Sequence, residues 1–281
     1  MATDAEARPR SLPPEDAAFA ALLAKISRDR GFGCSSYKER CLKRRVAVRM
    51  RARGVLLYDE YARLLDSDDK EYDQLLQTLT INVTKLFRNW DVYAGIAEHV
   101  VPAVWRDSVS SIRVWSAGCA GGHEAYSLGV LFHRHAETTN TLSRLSRLRI
   151  VGTDIDRPSL DAARRGQFEA SDFLDTPRDL RDRYFAPEAP FAIEQDVRRL
   201  VRFSESDLLK DAPPFAQHDL IVCRNVLIYL DRPSQAKLFA LFHEALAPNG
   251  FLVLGKVETL LGPMRSKFVA VHPRERIFQR A

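Results

Sequence analysis

The stretch WSAGCAGGHEAYS, from Trp115 to Ser127, holds three glycines, Gly118, Gly121 and Gly122, within five residues. They follow the apolar run Ile112–Ser116 and precede a helix-like segment that begins at Glu124. Glycine permits a tight turn and leaves no Cβ between the backbone and an approaching ligand. Ligands of open α/β sheets gather beyond the carboxyl ends of the strands, where this loop would stand. Alone, such a loop is ordinary turn chemistry, and its surroundings have to narrow it. No GxxxxGK followed by Ser or Thr occurs, which excludes a Walker-type phosphate loop. GxGxxG is not met either, because Cys119 and Ala120 follow Gly118. A dinucleotide site places its ribose-binding acid roughly 20 residues on, and Asp154, at the end of the next strand-like run, comes later than that. A carboxylate there still suits both hydroxyls of a ribose. Glu124, at a helix start that would otherwise favour anions, repels pyrophosphate and attracts an ammonium or a sulfonium. The ligand these residues describe is a nucleoside with a cationic tail, S-adenosyl-L-methionine.

Two kinds of sequence must position these groups. From Glu15 to about Leu86 the apolar spacing predicts only helices: one through Phe19, Leu22, Leu23 and Ile26, one from about Ser36 to Arg53, one through Tyr58, Tyr61, Leu64 and Leu65, and one through Tyr72, Leu75, Leu76 and Leu79. After Trp90, β-rich runs alternate with helical ones. Strands are expected at Ile112–Ser116, Arg149–Asp154, Leu200–Ser204, Asp219–Cys223 and Phe251–Leu254, and helices at Glu124–His135, Pro158–Arg165 and Pro233–Leu246. This alternation implies a parallel sheet covered on both faces. SKFVAVHPRERIFQR reads as a closing hairpin turned at His272-Pro273, and the polar, Pro-containing stretch from about Phe168 to Val197 as a small insertion.

A chain of 281 residues, 46% apolar, can bury one large core or two smaller ones. The first residues, MATDAEARPRSLPP, carry no apolar core for a signal peptide, and no run approaches the ~18 residues of a membrane span. The four cysteines form no CxxC pair and have no His cluster beside them, so no metal site or disulfide framework is expected and a cytoplasmic location is. Cys119 and Cys223 read as small buried hydrophobes rather than nucleophiles. The net charge of +5 is uneven: Lys38 to Arg53 holds eight basic residues and one acid.

The chain resembles the CheR-type methyltransferases, which methylate glutamate side chains of chemotaxis receptors. The resemblance runs from about Phe19 to Phe278 and is carried by NVTKLFR (Asn82–Arg88), WSAGCAGGHEAYS, GTDID (Gly152–Asp156) and CRNVLIYL (Cys223–Leu230). It implies an α/β fold: an S-adenosylmethionine-dependent, Rossmann-like methyltransferase with a seven-stranded sheet ending in a β-hairpin, an N-terminal all-helical domain and a small inserted β-subdomain. The expected division is a disordered tail at 1–14, a helical substrate-docking domain at 15–88, a methyltransferase domain at 89–281 and the inserted subdomain at 167–199. Carried over by motif, Asn82, Thr84 and Arg88 come from the segment that closes over the cofactor. Glu124 faces its methionine amino group and Asp154 its ribose, with Gly118 in the loop between. Asp207 and Leu208 lie near the adenine, and Asn225 and Val226 line the site after the fourth strand. The family's NET is NVT here, with Val83 in place of an acid; its GEEPYS is GHEAYS; and Asp207 stands where Asn is common.

The reaction so implied is methyl transfer to a carboxylate, leaving S-adenosyl-L-homocysteine. A carboxylate with a reference pKa of about 4.3 is already ionised and needs no general base. Arg88 is the candidate to hold it bidentately, and Tyr229, four residues after Asn225, to aim a hydroxyl into the cleft. On α-helical geometry Leu42, Val46 and Met50 form one stripe of the basic helix, and Arg40, Arg44 and Arg51 a second, nearly opposite, with Ala47 between its members. The arginine stripe is expected to dock the glutamate-bearing helical bundle of the receptor. The expected partner is that bundle, with no nucleic acid, no membrane insertion and a monomeric enzyme. No glycine follows Gly166 before Arg202, so no Gly-rich loop is offered to a receptor tether, and action without one is expected. Two alternatives stay open: a non-catalytic S-adenosylmethionine sensor or scaffold, and a methyltransferase acting on nucleic acid.

Overall fold

The computed structural model describes residues 14–80, 82–106 and 110–281. These fall into two compact units that divide after position 81. Of the tail expected at 1–14, residues 1–13 lie outside the described residues, and Pro14 opens the first helix.

The described residues of the first unit form four α-helices, α1 (Pro14–Arg30), α2 (Glu39–Ala52), α3 (Tyr58–Ser67) and α4 (Asp69–Thr80). Phe19, Leu22, Ile26, Leu42, Val46, Met50, Tyr61, Leu65, Tyr72, Leu75 and Leu79 fill its core at the helical spacing read from the sequence. That core also holds a charge which the apolar pattern does not announce. Glu71 is 1% exposed and accepts from Arg49 Nε at 3.0 Å and Nη2 at 2.5 Å, and from the Tyr61 hydroxyl at 2.6 Å. Arg53 Nη1 stands 3.8 Å away. The basic run is therefore partly internal: Arg49 and Arg53 serve Glu71, and Lys43 pairs with Asp16 and Glu39. Arg40, Arg44 and Arg51 are exposed and hold no ion pair among the described residues.

The second unit opens with a segment that the sequence reading grouped with the helices. Residues 82–88 are instead bonded into it: Asn82 Nδ2 donates to Asp156 Oδ2 at 2.9 Å, Leu86 N to Asp172 O at 3.0 Å, and Phe87 N to Ser127 Oγ at 2.9 Å. A helix not anticipated from the sequence follows, α5 (Trp90–Gly95), a π turn over Ile96–Val100 and α6 (Val101–Val104). Val92, Ile96, Val100 and Val104 bury its inner side. Pro102, which donates no hydrogen bond, masks this helix in the sequence and sits just where the ladder opens into the wide turn.

The sheet elements are β1 (Ile112–Ala117), α7 (His123–Thr138), β2 (Leu148–Asp154), α8 (Arg157–Arg165), β3 (Gln167–Phe168), α9 (Arg178–Tyr184), β4 (Phe191–Ala192), α10 (Gln195–Leu200), β5 (Val201–Glu205), β6 (His218–Cys223), α11 (Arg232–Ala245), β7 (Leu246–Leu254), β8 (Phe268–His272) and β9 (Ile277–Arg280). Seven strands form one sheet in the order β5-β2-β1-β6-β7-β9-β8. The first five are mutually parallel, and the hairpin β8–β9 closes the sheet antiparallel to β7 through β9. The order reverses beside β1, between β2 and β6, so the ends of these strands flank the crevice where such sheets bind ligands. Two helices that leave this crevice start on the same tetrapeptide, Asp-Arg-Pro-Ser. Asp156 caps α8 by accepting from Ser159 N at 2.9 Å, and Asp231 caps α11 by accepting from Ser234 N at 2.8 Å, with Pro in the first turn of each.

The insertion is a ribbon of two short strands, β3 antiparallel to β4, with α9 between them in the chain. Its polar composition hides an aromatic core: Phe168, Phe173, Phe185 and Phe191 meet edge to face, and the Arg181 guanidinium lies over the rings of Phe173 and Phe191.

Candidate active site

The glycine loop runs from the end of β1 to the head of α7 and is tied to the end of β2. Gly118 N and Cys119 N both donate to Thr153 O, at 2.8 and 2.9 Å, and Ala120 N donates to Asp154 Oδ2 at 2.8 Å. Gly118 has φ +76°, and a Cβ there would meet Val226 Cγ2 at 2.5 Å. Gly122, at φ +81°, would meet Ala163 and Phe203 at 2.8 Å. Both are thus required by protein neighbours, the turn after β6 and the α8–β5 wall, as well as by the turn itself. Bare backbone here first lets the scaffold close, a role the sequence reading gave to the ligand.

Glu124 lies in the first turn of α7 and is buried. Ser116 Oγ donates to its Oε1 at 2.8 Å, and Arg224 Nη1 stands 4.0 Å from its Oε2. Burial pushes this carboxyl up to about 7, against the opposing pull of Arg224 and of the Ser116 hydrogen bond; the nearby charge of Arg88 also favours its ionised form. Asp154 is buried at the end of β2, and burial raises its pKa while the Asp156 and Ala120 N–H groups oppose the rise. Ser206 N donates to Asp154 O at 2.9 Å, which fixes the turn after β5 beside it.

That turn holds Asp207 and Leu208, both half-buried. Asp207 Oδ1 accepts from Leu209 N at 3.0 Å, and its Oδ2 pairs with Lys210 at 3.0 Å. Asn82 reaches the β2 end through Asp156. Thr84 and Arg88 are half-buried on the same segment, and Arg88 Nη1 donates to Val83 O at 3.0 Å. Beyond β6, Asn225 takes φ +62°, Val226 packs at Gly118, and Tyr229 ends a 3₁₀ turn over Leu227–Tyr229. Gly118, Glu124, Asp154, Asn225 and Val226 are therefore gathered at the carboxyl ends of β1, β2 and β6. Arg40, Arg44 and Arg51 belong to the other unit.

Two residues of this region escaped the sequence reading. Arg224 is buried, donates through Nη2 to Asn89 Oδ1 at 3.0 Å and lies over the Tyr93 ring at 5.4 Å; its Nε has no partner among the described residues. Its signal was an arginine inside the apolar run CRNVLIYL. Glu258, buried beyond β7, accepts hydrogen bonds from backbone N–H groups of the turn after β6. Only an isolated acid behind a glycine, in GKVE, could have pointed to it. Strain also concentrates here, since Phe87, Asn89, Ala120 and Asn225 all have left-handed backbone. The thiols of Cys119 and Cys223 are buried and pushed well above their ordinary range by burial, in keeping with small apolar fillers.

The fit of a nucleoside with a cationic tail rests on Glu124. Its carboxyl makes one hydrogen bond, and its other oxygen stands beyond bonding distance from Arg224. An ammonium brought to it would keep it ionised. Asp154 uses one lone pair of each oxygen on backbone N–H groups, and the remaining acceptor positions would suit hydroxyls.

The model of the CheR methyltransferase SAM binding domain matches residues 82–276, and that of the CheR methyltransferase all-alpha domain matches residues 17–80. A chemotaxis protein methyltransferase of Listeria innocua is 31% identical over 242 residues, 85% of this chain and 88% of its own. One of Listeria monocytogenes is 30% identical over 239 residues, with the same shares of 85% and 88%. An uncharacterized 104.1 kDa protein of Rhodobacter capsulatus is 35% identical over 246 residues, which are 86% of this chain and 25% of that protein, so the chain spans a quarter of this relative's length.

Proposed function

This chain belongs to the CheR methyltransferase family and carries its S-adenosylmethionine-binding domain, and from that premise we propose that it methylates glutamate side chains of chemotaxis receptors. S-adenosylmethionine supplies the methyl group as an electrophile. A glutamate oxygen forms the new O–C bond as the S–C bond breaks, the sulfur keeps the electron pair, and the products are a glutamate methyl ester and S-adenosylhomocysteine. No proton has to move, so the work of the protein is placement.

The observation that carries this reading is the buried Glu124 carboxyl at the head of α7, raised to about 7 and short of a partner for its second oxygen. Glu124 holds the amino group of the cofactor, Asp154 the ribose, and the turn at Asp207 and Leu208 borders the adenine. Gly118, Asn225 and Val226 form the floor between them, and Asn82, Thr84 and Arg88 the cover. Arg88 holds the incoming carboxylate through its planar fork, and Tyr229 directs a hydroxyl toward it.

The helical unit, expected over 15–88, docks the receptor's helical bundle through Arg40, Arg44 and Arg51, and the unit expected over 89–281 carries out the transfer. No helix of the described residues is long and apolar enough to cross a membrane. The site of action in this reading is the cytoplasm, where receptor bundles present their glutamates, and the enzyme works as a monomer without a receptor tether.

The test is transfer of labelled methyl from S-adenosylmethionine to cytoplasmic receptor fragments. Base-labile label on glutamate is expected. Calorimetric binding of the cofactor with no transfer to any fragment would replace this reading with that of a sensor or scaffold.

A further inference from the structure

The turn that leaves β6, residues 225–230, is held from two directions by side chains outside it. From beyond β7, Glu258 Oε2 accepts from Gly255 N at 2.7 Å and from Asn225 N at 3.0 Å, while its Oε1 accepts from Ile228 N at 3.3 Å. From the first turn of α11, Gln235 Nε2 donates to Leu227 O at 2.8 Å and to Leu230 O at 3.0 Å. The carboxylate thus takes two donors of the turn, and the amide takes two of its acceptors. The fit around the carboxylate is close. A Cβ at Gly255 would stand 2.7 Å from Glu258 Oε2 and 3.0 Å from Asn225 N.

Glu258 is 4% exposed and pairs with no basic side chain among the described residues. A charge buried among backbone amides alone is an expensive way to fill space, and its burial raises its pKa although those N–H bonds oppose the rise. What a carboxylate alone provides is a group with several acceptor positions and no donor, facing a ring of donors. What it holds is also unusual: Asn225 in the left-handed region, followed by Val226 against Gly118 and by Tyr229.

We propose that Glu258 and Gln235 are positioning residues that form one clamp on this turn, Glu258 fixing Asn225 and Val226 beneath the cofactor and Gln235 fixing Tyr229 for the transfer step. The proposal rests on the methyltransferase reading above. It predicts that the two halves fail differently. Loss of the carboxylate releases the inner end of the turn, next to the glycine loop, and reaches cofactor affinity as well as turnover. Loss of the amide releases the outer end and reaches turnover alone. A displacement of reacting groups by about 1 Å is enough to cost roughly a hundred-fold in rate.

The experiment uses the full chain as wild type, Glu258→Gln, Gln235→Ala and Gln235→Lys. S-adenosylhomocysteine affinity is read by calorimetry, kcat and KM from receptor methylation, and backbone amide exchange over residues 225–230 by mass spectrometry. Glu258→Gln, which turns donors toward donors, is expected to weaken S-adenosylhomocysteine binding by about ten-fold and to speed exchange in the turn. Gln235→Ala is expected to lower kcat by roughly ten-fold with receptor KM and S-adenosylhomocysteine affinity nearly unchanged, and Gln235→Lys, which donates to the same carbonyls, to restore most of the loss. If Glu258→Gln fails to fold, the Gln235 pair still decides. Wild-type kcat in Gln235→Ala, or a Gln235→Lys protein that melts like wild type without regaining turnover, overturns the clamp. So does wild-type S-adenosylhomocysteine affinity in a folded Glu258→Gln. If the wild-type protein methylates no receptor fragment, it is the receptor assignment that fails, and the affinity and exchange measurements on Glu258→Gln still judge the clamp.

Discussion

Arg224 Nη1 stands 4.0 Å from Glu124 Oε2, with both side chains buried, yet the carboxyl is pushed up to about 7 because burial outweighs the guanidinium. Arg224 is turned partly away, toward Asn89 and the face of Tyr93. In the reading proposed above, the site is poised to accept one more positive group.

The first prediction follows from that poise. An ammonium bound at Glu124 favours the ionised carboxylate, so binding drives a proton off it. Affinity for S-adenosylhomocysteine is expected to rise with pH between the ordinary carboxyl value of 4.5 and about 7. It falls again at higher pH, once the ligand's α-amino group deprotonates. Stability of the ligand-free protein runs the other way. The folded state holds a proton that the unfolded chain has released, so the contribution of Glu124 declines as pH rises through the same window. Calorimetry in buffers of different ionisation enthalpy reads the released proton. Glu124→Gln should bind roughly ten- to a hundred-fold more weakly and lose this pH dependence. A flat affinity profile for the wild type would place the ammonium elsewhere.

Arg88 is expected to act on the substrate rather than the cofactor. Arg88→Ala should lower kcat by roughly a hundred-fold while leaving S-adenosylhomocysteine affinity within a few-fold, and Arg88→Lys should recover only part, since a point charge cannot hold a carboxylate with two parallel bonds. Steady-state kinetics beside calorimetry separates the two. Undiminished turnover in Arg88→Ala removes it from the mechanism.

Glu71 makes the first unit sensitive to acid. Burial would raise its pKa, but the hydrogen bonds from Arg49 and Tyr61 prevail and hold it below its ordinary value. A carboxylate whose folded pKa is depressed lends stability that is present above the unfolded value and lost as pH falls through the folded one. Glu71→Ala leaves Arg49 facing a buried gap and should cost about 3–5 kcal/mol, whereas Arg49→Met with Glu71→Leu should cost much less. Urea denaturation at neutral pH measures both. Equal losses in the two variants would mean that packing, not the ion pair, decides.

Arg40, Arg44 and Arg51 are exposed without ion pairs among the described residues, unlike Lys43 and Arg49 of the same helix and Arg53 just after it. Reversing Arg44 and Arg51 to Glu should raise the KM for receptor, most at low ionic strength, and leave cofactor binding intact because Glu124 and Asp154 belong to the other unit. Unaltered receptor methylation at low salt would return the stripe to ordinary surface.

The sequence exposed those parts of the site that local order determines. A strand, a glycine loop and a helix head occupy consecutive residues, so Glu124 could be placed from WSAGCAGGHEAYS alone, and Asp154 from the end of the next strand. Arg224 and Glu258 were not legible because their roles exist only through contacts across the fold, with Glu124 and Asn89 for the first and with Asn225 and Ile228 for the second. Periodicity located Arg40, Arg44 and Arg51 on one side of α2 but could not say which neighbouring basic residues would turn inward to Glu71. The helix over α5 and α6 was obscured by Pro102, and the aromatic core of the insertion by the polar residues around it. The reason for Gly122 was equally hidden, since Ala163 and Phe203, which exclude a Cβ there, arrive from later elements.

The segment 82–88 is fastened by Asn82 to Asp156, by Phe87 to Ser127 and by Leu86 to Asp172. Every one of these anchors is made later in synthesis than the segment it holds. While the chain emerges from the ribosome, the helices before the segment can close on local contacts, but the last of the segment's anchors waits until the insertion has been translated. A nascent chain that ends at Gly166 already has Ser127 and Asp156 but lacks the carbonyl that receives the amide of Leu86. The segment is thus made before all of its anchors and fully secured only after the last of them, the order in which long-range contacts have to form.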